Sequence, residues 1–364
     1  MKQSSTLILV GVGGAGCTIA RWVVRDYGDD MRFVLVDTDA ATGADGSPFV
    51  QLGHGRLAGH GAGGDVVAAR LAAEDSVAML DEHIGGVRLA VVVTALGGGT
   101  GSGATLEVVK HLASRGIASL VFATTPFSFE GAARHRNSRG MISLISESAG
   151  ANFIIPLDKL VQGEERMESA MRKAVETLSG AISLFWRILE TPGYISFDVE
   201  KLRRLMENAG RGRFFAASAS GPHRAEELID ALSTAPLLVE GTSSVRTILC
   251  GVLAGEDLRL AEIAKISSGL RIAFGEKATF ELATVNDEAT FSSRICVVAM
   301  LLESPVQDEK QQKSKSGAKR RADRIAVLAP TQGRGRFASA EPTIWHGEDL
   351  DMPTYLRQNI ALEF

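Results

Sequence analysis

The sequence has little cysteine: Cys17, Cys250 and Cys296 are scattered through 364 residues without C-x-x-C spacing. That excludes a disulfide framework and a cysteine-built zinc site, and it points to a reducing compartment. Charge of one sign is lacking as well. A formal net charge of −4 gives no general pull toward nucleic acid or acidic membrane surfaces. No stretch approaches the ~18 uninterrupted apolar residues of a membrane-spanning helix. The apolar segment Thr6 to Val12 runs straight into glycine and is too short for the core of a secretory signal. The histidines, His54, His60, His83, His111, His135, His223 and His346, form no metal-binding or triad pattern. The expectation is a cytoplasmic chain with no nucleic-acid partner and no resident metal site.

What the chain has in quantity is glycine, placed between strands and helices. In VVVTALGGGTGSGATLEVVKHL, residues 91–112, an apolar strand runs into Gly97, Gly98, Gly99, Thr100, Gly101, Ser102 and Gly103 and then into a helix. Bare backbone lets N–H groups approach an anion closely, and the helix that follows adds the positive end of its dipole. The stretch reads as a phosphate cradle. It lacks the lysine of GxxxxGK[ST], so it is not a Walker A loop. A second cluster, LILVGVGGAGCTIARWVV, places Gly11, Gly13 and Gly16 in G-x-G-x-x-G between a strand and a helix. The strand RFVLVDTDA then ends in Asp37 and Asp39, a spacing that a dinucleotide site of a dehydrogenase would also show. No residue stands out as a base for hydride transfer.

Strands and helices alternate through the first half: strands at 6–12, 32–37 and 88–95, helices near 14–27, 65–82 and 104–115, then strands SLVFATT and NFIIPL. Alternation of this kind predicts a Rossmann-like parallel sheet with helices on both faces and ligands at the carboxyl ends of its strands. Both glycine clusters, and GHGAGG at 59–64, fall at that edge. Three glycine loops suit a triphosphate held on several sides. Residues 163–191 read as a connecting helix with an apolar stripe at Ile182, Phe185, Trp186 and Leu189. A smaller α/β domain is expected over 192–303, with strands SVRTILCGVLAG, ATFELATVND and SRICVVAMLLE and helices near 224–232 and 258–273. The domain plan is thus 1–162 for nucleotide binding, the connecting helix, the smaller domain, a polar linker at 304–340 that cannot bury a core, and a tail peptide at 341–364.

GGGTGSG at 97–103 resembles the signature of the tubulin and FtsZ family, and further FtsZ-like motifs follow in the family's order. They are GVGGAG (11–16), DTDA (37–40), GAGG (61–64), TTPFSFEG (124–131), IPLDKL (155–160), NAG (208–210) and APLL (235–238), with EPTIWHGEDLDMPTYLRQN (341–359) similar to the family's tail peptide. The resemblance implies a GTP- or GDP-binding domain, with Mg2+ as the accompanying cation, and head-to-tail filaments in which each subunit completes the next one's site. By position it implies that Gly11, Gly13, Gly14, Gly16, Ala62, Gly63, Gly64 and Gly97 to Gly103 hold phosphates, and that Glu130 and Arg134 lie near sugar and phosphates. Through residues 349–359 it implies a protein adaptor and indirect membrane association. The usual role is cell division, with membrane remodelling as another task for such a chain.

Departures from the family fall at the base and at the catalytic loop. The carboxylate that reads guanine becomes Glu176 beside Val175, an aromatic that stacks on the base becomes Met171, and two asparagines become Leu157 and Thr18. The family's N-x-D-x-x-D loop is Ser196, Asp198 and Lys201 here, so one of its two carboxylates is a cation. An ammonium accepts no proton from water at neutral pH unless its pKa is strongly shifted. Slow or absent hydrolysis is therefore expected, with Asp198 acting in trans if any residue does. The alternative is a nucleotide-binding scaffold that does not polymerise, or a co-assembling paralogue.

Overall fold

Short runs rich in valine, leucine and isoleucine leave no polar face, so they are stable as strands only when covered on both sides. In the computed structural model they are: β1 (Leu7–Val12) is buried at every position, and β4 (Leu89–Ala95) at all but its last. The structure describes residues 6–28, 30–161, 166–191, 193–206, 210–239, 245–303, 344–345 and 348–349. The remaining strands of the large sheet are β2 (Phe33–Asp37), β3 (Phe49–Gln51), β5 (Ala118–Thr125), β6 (Ala151–Pro156), β7 (Gly210–Ser220), β8 (Val245–Ala254), β9 (Thr279–Asn286) and β10 (Arg294–Glu303). The helices are α1 (Gly13–Tyr27), α2 (His54–Leu57), α3 (Val66–Ser76), α4 (Asp81–Ile84), α5 (Gly99–Ser114), α6 (Ala132–Ser148), α7 (Met167–Glu190), α8 (Val199–Met206), α9 (Arg224–Thr234), α10 (Pro236–Val239), α11 (Leu260–Phe274) and α12 (Glu288–Phe291).

Ten strands form one sheet in the order β3-β2-β1-β4-β5-β6-β7-β10-β8-β9. Pairing is parallel from β3 to β7, antiparallel on both sides of β10, and parallel again between β8 and β9. The mixed α/β class and its parallel-dominated sheet agree with the sequence reading. β7 joins the halves: Gly210 to Gly212 pair with β6, and Gly212 to Ser220 pair with β10. It is not among the strands expected from the sequence, since GRGRFFAASAS has only the short apolar run Phe214 to Ala217 and is otherwise glycine, arginine, serine and alanine. Two other boundaries move. The expected helix at 65–82 is α3, a 3-10 turn at Val77–Leu80 and then α4, and the expected helix at 104–115 already begins at Gly99.

Helix α7 lies across the join. Leu178, Ile182, Phe185 and Trp186 are buried on its inner face in one core with Leu9, Phe122, Phe153, Phe214 and Met300. The aromatics interlock: Phe122 stacks on Phe153 with centroids 4.8 Å apart, and Phe214 meets Phe122 edge-on at 4.8 Å. A second core on the C-terminal half packs α9 and α11 against β8 and β10 through Leu228, Ile266, Val252 and Val297. Among the described residues, no helix is long and apolar enough to cross a membrane.

Residues 309–364 form a separate unit, in which β11 (Ile344–Trp345) pairs antiparallel with β12 (Glu348–Asp349). The expected linker at 304–340 and, apart from Asp349, the expected adaptor peptide at 349–359 lie outside the described residues.

Because Phe153 is buried between rings contributed by both halves, Phe153→Ala should cost about 3–5 kcal/mol. Urea unfolding should show one shared transition moving to lower denaturant, with the same midpoint whether followed by near-UV or far-UV circular dichroism.

Candidate functional site

The strand ends of the parallel half open into a cleft of about 290 Å³. One wall is the start of α1, Gly13 to Ala15, and the start of α5, Gly98 to Gly101; the other carries Thr124, Thr125, Pro126, Glu130, Arg134, Leu157 and Met171. A helix start leaves backbone N–H groups without partners, and side chains such as Ser or Asp normally cap them. Here α1 and α5 have no side-chain cap and no acidic residue in their first turns. Helix α3, outside the cleft lining, is capped in the ordinary way, with Asp65 Oδ1 accepting from the N–H of Val67 and Ala68 at 2.8 and 3.0 Å. The first-turn N–H groups and the positive dipole ends of α1 and α5 both belong to the cleft lining, an arrangement that favours negative charge there.

The glycines divide into two groups. Gly98 has nothing within 4 Å of where a Cβ would stand, and Gly14 has only Asp37 Oδ2 at 3.8 Å. The others around the two helix starts are compelled by packing. A Cβ on Gly101 would sit 2.1 Å from the Ala95 carbonyl oxygen, on Gly16 2.5 Å from that of Val93, and on Gly103 2.3 Å from that of Val66. Gly11 would meet Ala20 Cβ at 2.8 Å, and Gly99 would meet Ala62 Cβ at 3.0 Å. A Cβ on Gly13, at φ +73°, would stand 2.8 Å from the Gly101 nitrogen, while Gly97, at φ +109°, has its N–H held by Ser102 Oγ at 2.8 Å. Gly11, Gly16, Ser102 and Gly103 are thus structural parts behind the wall. Gly63 and Gly64 are exposed in the loop before α3 and do not line the cleft, and Thr18 turns its hydroxyl to the Gly14 carbonyl at 3.0 Å.

Glu130 and Arg134 form an ion pair at the rim, with the second Glu130 oxygen accepting from the Phe127 N–H at 2.9 Å. The Thr100 hydroxyl in the wall bonds the buried Thr38 hydroxyl at 2.7 Å. Asn137 reaches the Gly97 carbonyl at 3.3 Å. Neither Thr38 nor Asn137 was singled out from the sequence; Asn137 follows Arg134 by three residues on α6, which is the one signal that could have found it. Asp37 is buried behind the wall, where burial raises its pKa above the ordinary carboxylate value against hydrogen bonds from Thr42 and the Thr38 N–H. The nearby Cys17 thiol is pushed up to about 12 by burial, so it is inert.

The remaining expected residues stand elsewhere. Glu176 is exposed on α7 and is not part of the cleft lining. Ser196 and Asp198 are exposed in the segment between α7 and α8, where Asp198 Oδ1 accepts from the Glu200 N–H at 3.0 Å at the start of α8. Lys201 is paired with Glu281 of β9 at 2.5 Å, and Glu200 is taken by Arg88 and Arg203 at 2.9 and 3.1 Å.

An α/β protein with a ligand cleft at the carboxyl edge of its parallel strands, walled by two uncapped glycine helix starts, is the class defined so far. The model of the Tubulin/FtsZ family, GTPase domain, matches residues 6–164. The chain belongs to the Tubulin/FtsZ family. It is 31% identical over 293 residues to the cell division protein FtsZ of Pseudomonas putida, covering 79% of this chain and 74% of that one. With the cell division protein FtsZ of Pseudomonas aeruginosa it shares 29% identity over 368 residues, 98% and 90% of the two chains. Among solved structures, an empty FtsZ dimer from M. jannaschii superimposes with a TM-score of 0.77 at 23% identity, covering 84% of this chain and 90% of that one. A GTPγS-bound CetZ2 protofilament from Haloferax volcanii gives 0.68 at 20% identity, covering 88% and 98%. Family membership sets aside the dehydrogenase reading of Gly11 to Gly16.

Two expectations follow from the geometry. Gly101→Ala should destabilise the fold by about 1–3 kcal/mol because the new carbon meets a backbone oxygen, whereas Gly98→Ala should change thermal stability by no more than about 0.5 kcal/mol. The second concerns pH. Asp37 binds its proton more tightly folded than unfolded, so stability should fall as pH rises from the ordinary carboxylate pKa of about 4 through the folded value. Asp37→Asn should remove that slope in urea titrations across the interval.

Proposed function

We propose that the chain is a GTP-binding cytoskeletal protein that assembles head to tail and hydrolyses its nucleotide slowly or not at all. The observation that carries this reading is the convergence of the uncapped starts of α1 and α5 on one wall of the cleft. The site fits a nucleotide, since the space at Gly98 is space a Cβ would fill and Arg134 supplies a guanidinium at the rim. Backbone donors of Gly13, Gly14 and Gly98 to Gly101 would hold the phosphates. Mg2+ bound with them would neutralise part of their charge.

Helix α7 explains why hydrolysis would need a second subunit. Met171 lines the cleft, whereas Ser196 and Asp198 follow the other end of the same helix, about 30 Å away at 1.5 Å per residue. A carboxylate at that end cannot reach its own cleft and works only on a neighbour's. Self-association is supported by the relatives, one solved as a dimer and another as a protofilament. Slow turnover is supported by the loop itself. Lys201 offers no proton acceptor and is bound to Glu281, Glu200 is occupied by two arginines, and Asp198 caps α8. Such a filament would serve cell division or membrane remodelling in the cytoplasm. An adaptor held by residues 349–359 would link it indirectly to the membrane.

The test is phosphate release across a series of protein concentrations with GTP and Mg2+, alongside sedimentation of the same samples. Pelleted polymer with release near background is the expected result. Release that climbs more than linearly with concentration would mean that Asp198 acts in trans despite Lys201. Bound nucleotide with neither polymer nor release would establish the alternative, a scaffold that does not polymerise.

A further inference from the structure

Resting on the nucleotide reading above, we infer that Asn137 is a positioning residue of the cleft. Through the Gly97 carbonyl it fixes the start of α5 against the rim that carries Arg134, and it thereby sets how tightly a nucleoside polyphosphate is held. Asn137 lies on α6 one turn beyond Arg134, on the same face. It is half-buried and does not line the cleft, so it acts through the residues it holds. Asparagine is among the weaker helix formers, because its amide competes with the backbone around it. Here the amide N–H leaves its own helix and reaches the Gly97 carbonyl at 3.3 Å.

Gly97 is the point where the two walls of the cleft meet. On one side it precedes Gly98, the N-cap of α5, and its own N–H donates to Ser102 Oγ in the first turn of that helix at 2.8 Å. On the other side it packs against the rim, where a Cβ would stand 2.5 Å from Pro126 Cγ and 3.3 Å from both Cβ and the carbonyl oxygen of Arg134. Its φ of +109° suits glycine, the residue that loses most backbone freedom on being held. Ser102 and Asn137 hold the N–H and the carbonyl of this one residue from two different helices. The rim is tied to α6 as well. His135 Nε2–H donates to the Phe127 carbonyl at 3.0 Å, and Glu130 joins Arg134 to the Phe127 N–H. Asn137 extends this set of bonds from the rim to the start of α5.

A polyphosphate lying between the Gly98 to Gly101 backbone and the Arg134 guanidinium needs both at one spacing. With Gly97 pinned, that spacing exists before the ligand binds. Without the bond, the ligand must order the glycine stretch itself, and the cost of ordering is lost from its affinity. The net worth of one neutral hydrogen bond corresponds to a factor of about 3–10 in an equilibrium constant.

The experiment is titration of the full chain with a ribose-labelled fluorescent GTP and Mg2+, in the wild type, Asn137→Leu, Asn137→Gln and Ile266→Val, with a melting temperature for each. Leucine approximates the shape of asparagine without its donor, and glutamine keeps an amide N–H. Ile266 is buried in the second core, so its variant reports what lost stability alone does. The expected result is that Asn137→Leu weakens binding by about 3–10-fold, that Asn137→Gln recovers most of the loss, and that Ile266→Val binds as the wild type does. Asn137→Asp, which keeps the size but turns acceptors alone toward the Gly97 carbonyl, takes the place of Asn137→Leu should that variant melt below the assay temperature. Binding by the donor-less variant within about twofold of wild type, a glutamine variant as weak as the donor-less one, or an equal loss in Ile266→Val overturns the inference and leaves nucleotide binding intact. Failure of the wild type to bind the labelled GTP overturns the nucleotide reading together with the inference.

Discussion

Everything at the cleft depends on backbone packed directly against backbone. Gly13 lies against the Gly101 nitrogen, Gly101 lies against the Ala95 carbonyl, and Gly16 lies against that of Val93. These contacts bring the starts of α1 and α5 to the ends of β1 and β4 closer than any side chain would permit. The uncapped N–H groups of both helices then belong to one wall. Buried hydroxyls fix the arrangement. Thr94 bonds the Gly101 carbonyl at 3.0 Å, Thr105 bonds it at 2.6 Å, and Ser102 holds Gly97 in a conformation that favours glycine. The placement of both helix starts in the cleft lining is thus a by-product of close packing.

That division of labour explains which parts could be read from the sequence. The alternation of strands and helices was legible because each apolar run is buried on both faces, and the glycine-rich turns marked the functional edge. The role of each glycine was not legible. A glycine needed for contact with Val93 or Val66 looks the same in sequence as one that opens space for a phosphate, and only the three-dimensional neighbours separate Gly16 and Gly103 from Gly98. β7 escaped notice for a related reason. Its strand character comes from pairing with β6 and β10, not from its own residues, of which Gly212 lies so near the Phe153 ring that a Cβ would stand 2.4 Å from it. Glu130, Arg134, Leu157 and Met171, which the motif resemblance marks, line the cleft, whereas Thr38 and Asn137 join its wall through contacts far apart in the chain.

The far end of α7 obeys a different logic. There the side chains are charged and each has a partner within the same chain: Lys201 with Glu281, Glu200 with Arg88 and Arg203, Asp198 with the start of α8. Exposed pairs of this kind contribute only about 0–1 kcal/mol each, too little to act as a lock. Their consequence is chemical. A carboxylate already accepting hydrogen bonds from a guanidinium is a poorer base for water, and a lysine in place of a carboxylate adds positive charge beside the one that remains. The two ends of one rigid helix therefore differ in kind. The glycine wall at the cleft end is made largely of backbone geometry, which substitution at its packed glycines disturbs only by breaking the packing. The loop end is made of side chains, which substitution alters without touching the fold. A chain can for that reason keep the architecture of its family and the backbone wall of its cleft while its side chains change, and the departures along this sequence, Leu157 and Met171 in the cleft lining and Ser196 and Lys201 beyond α7, fall outside the packed glycines.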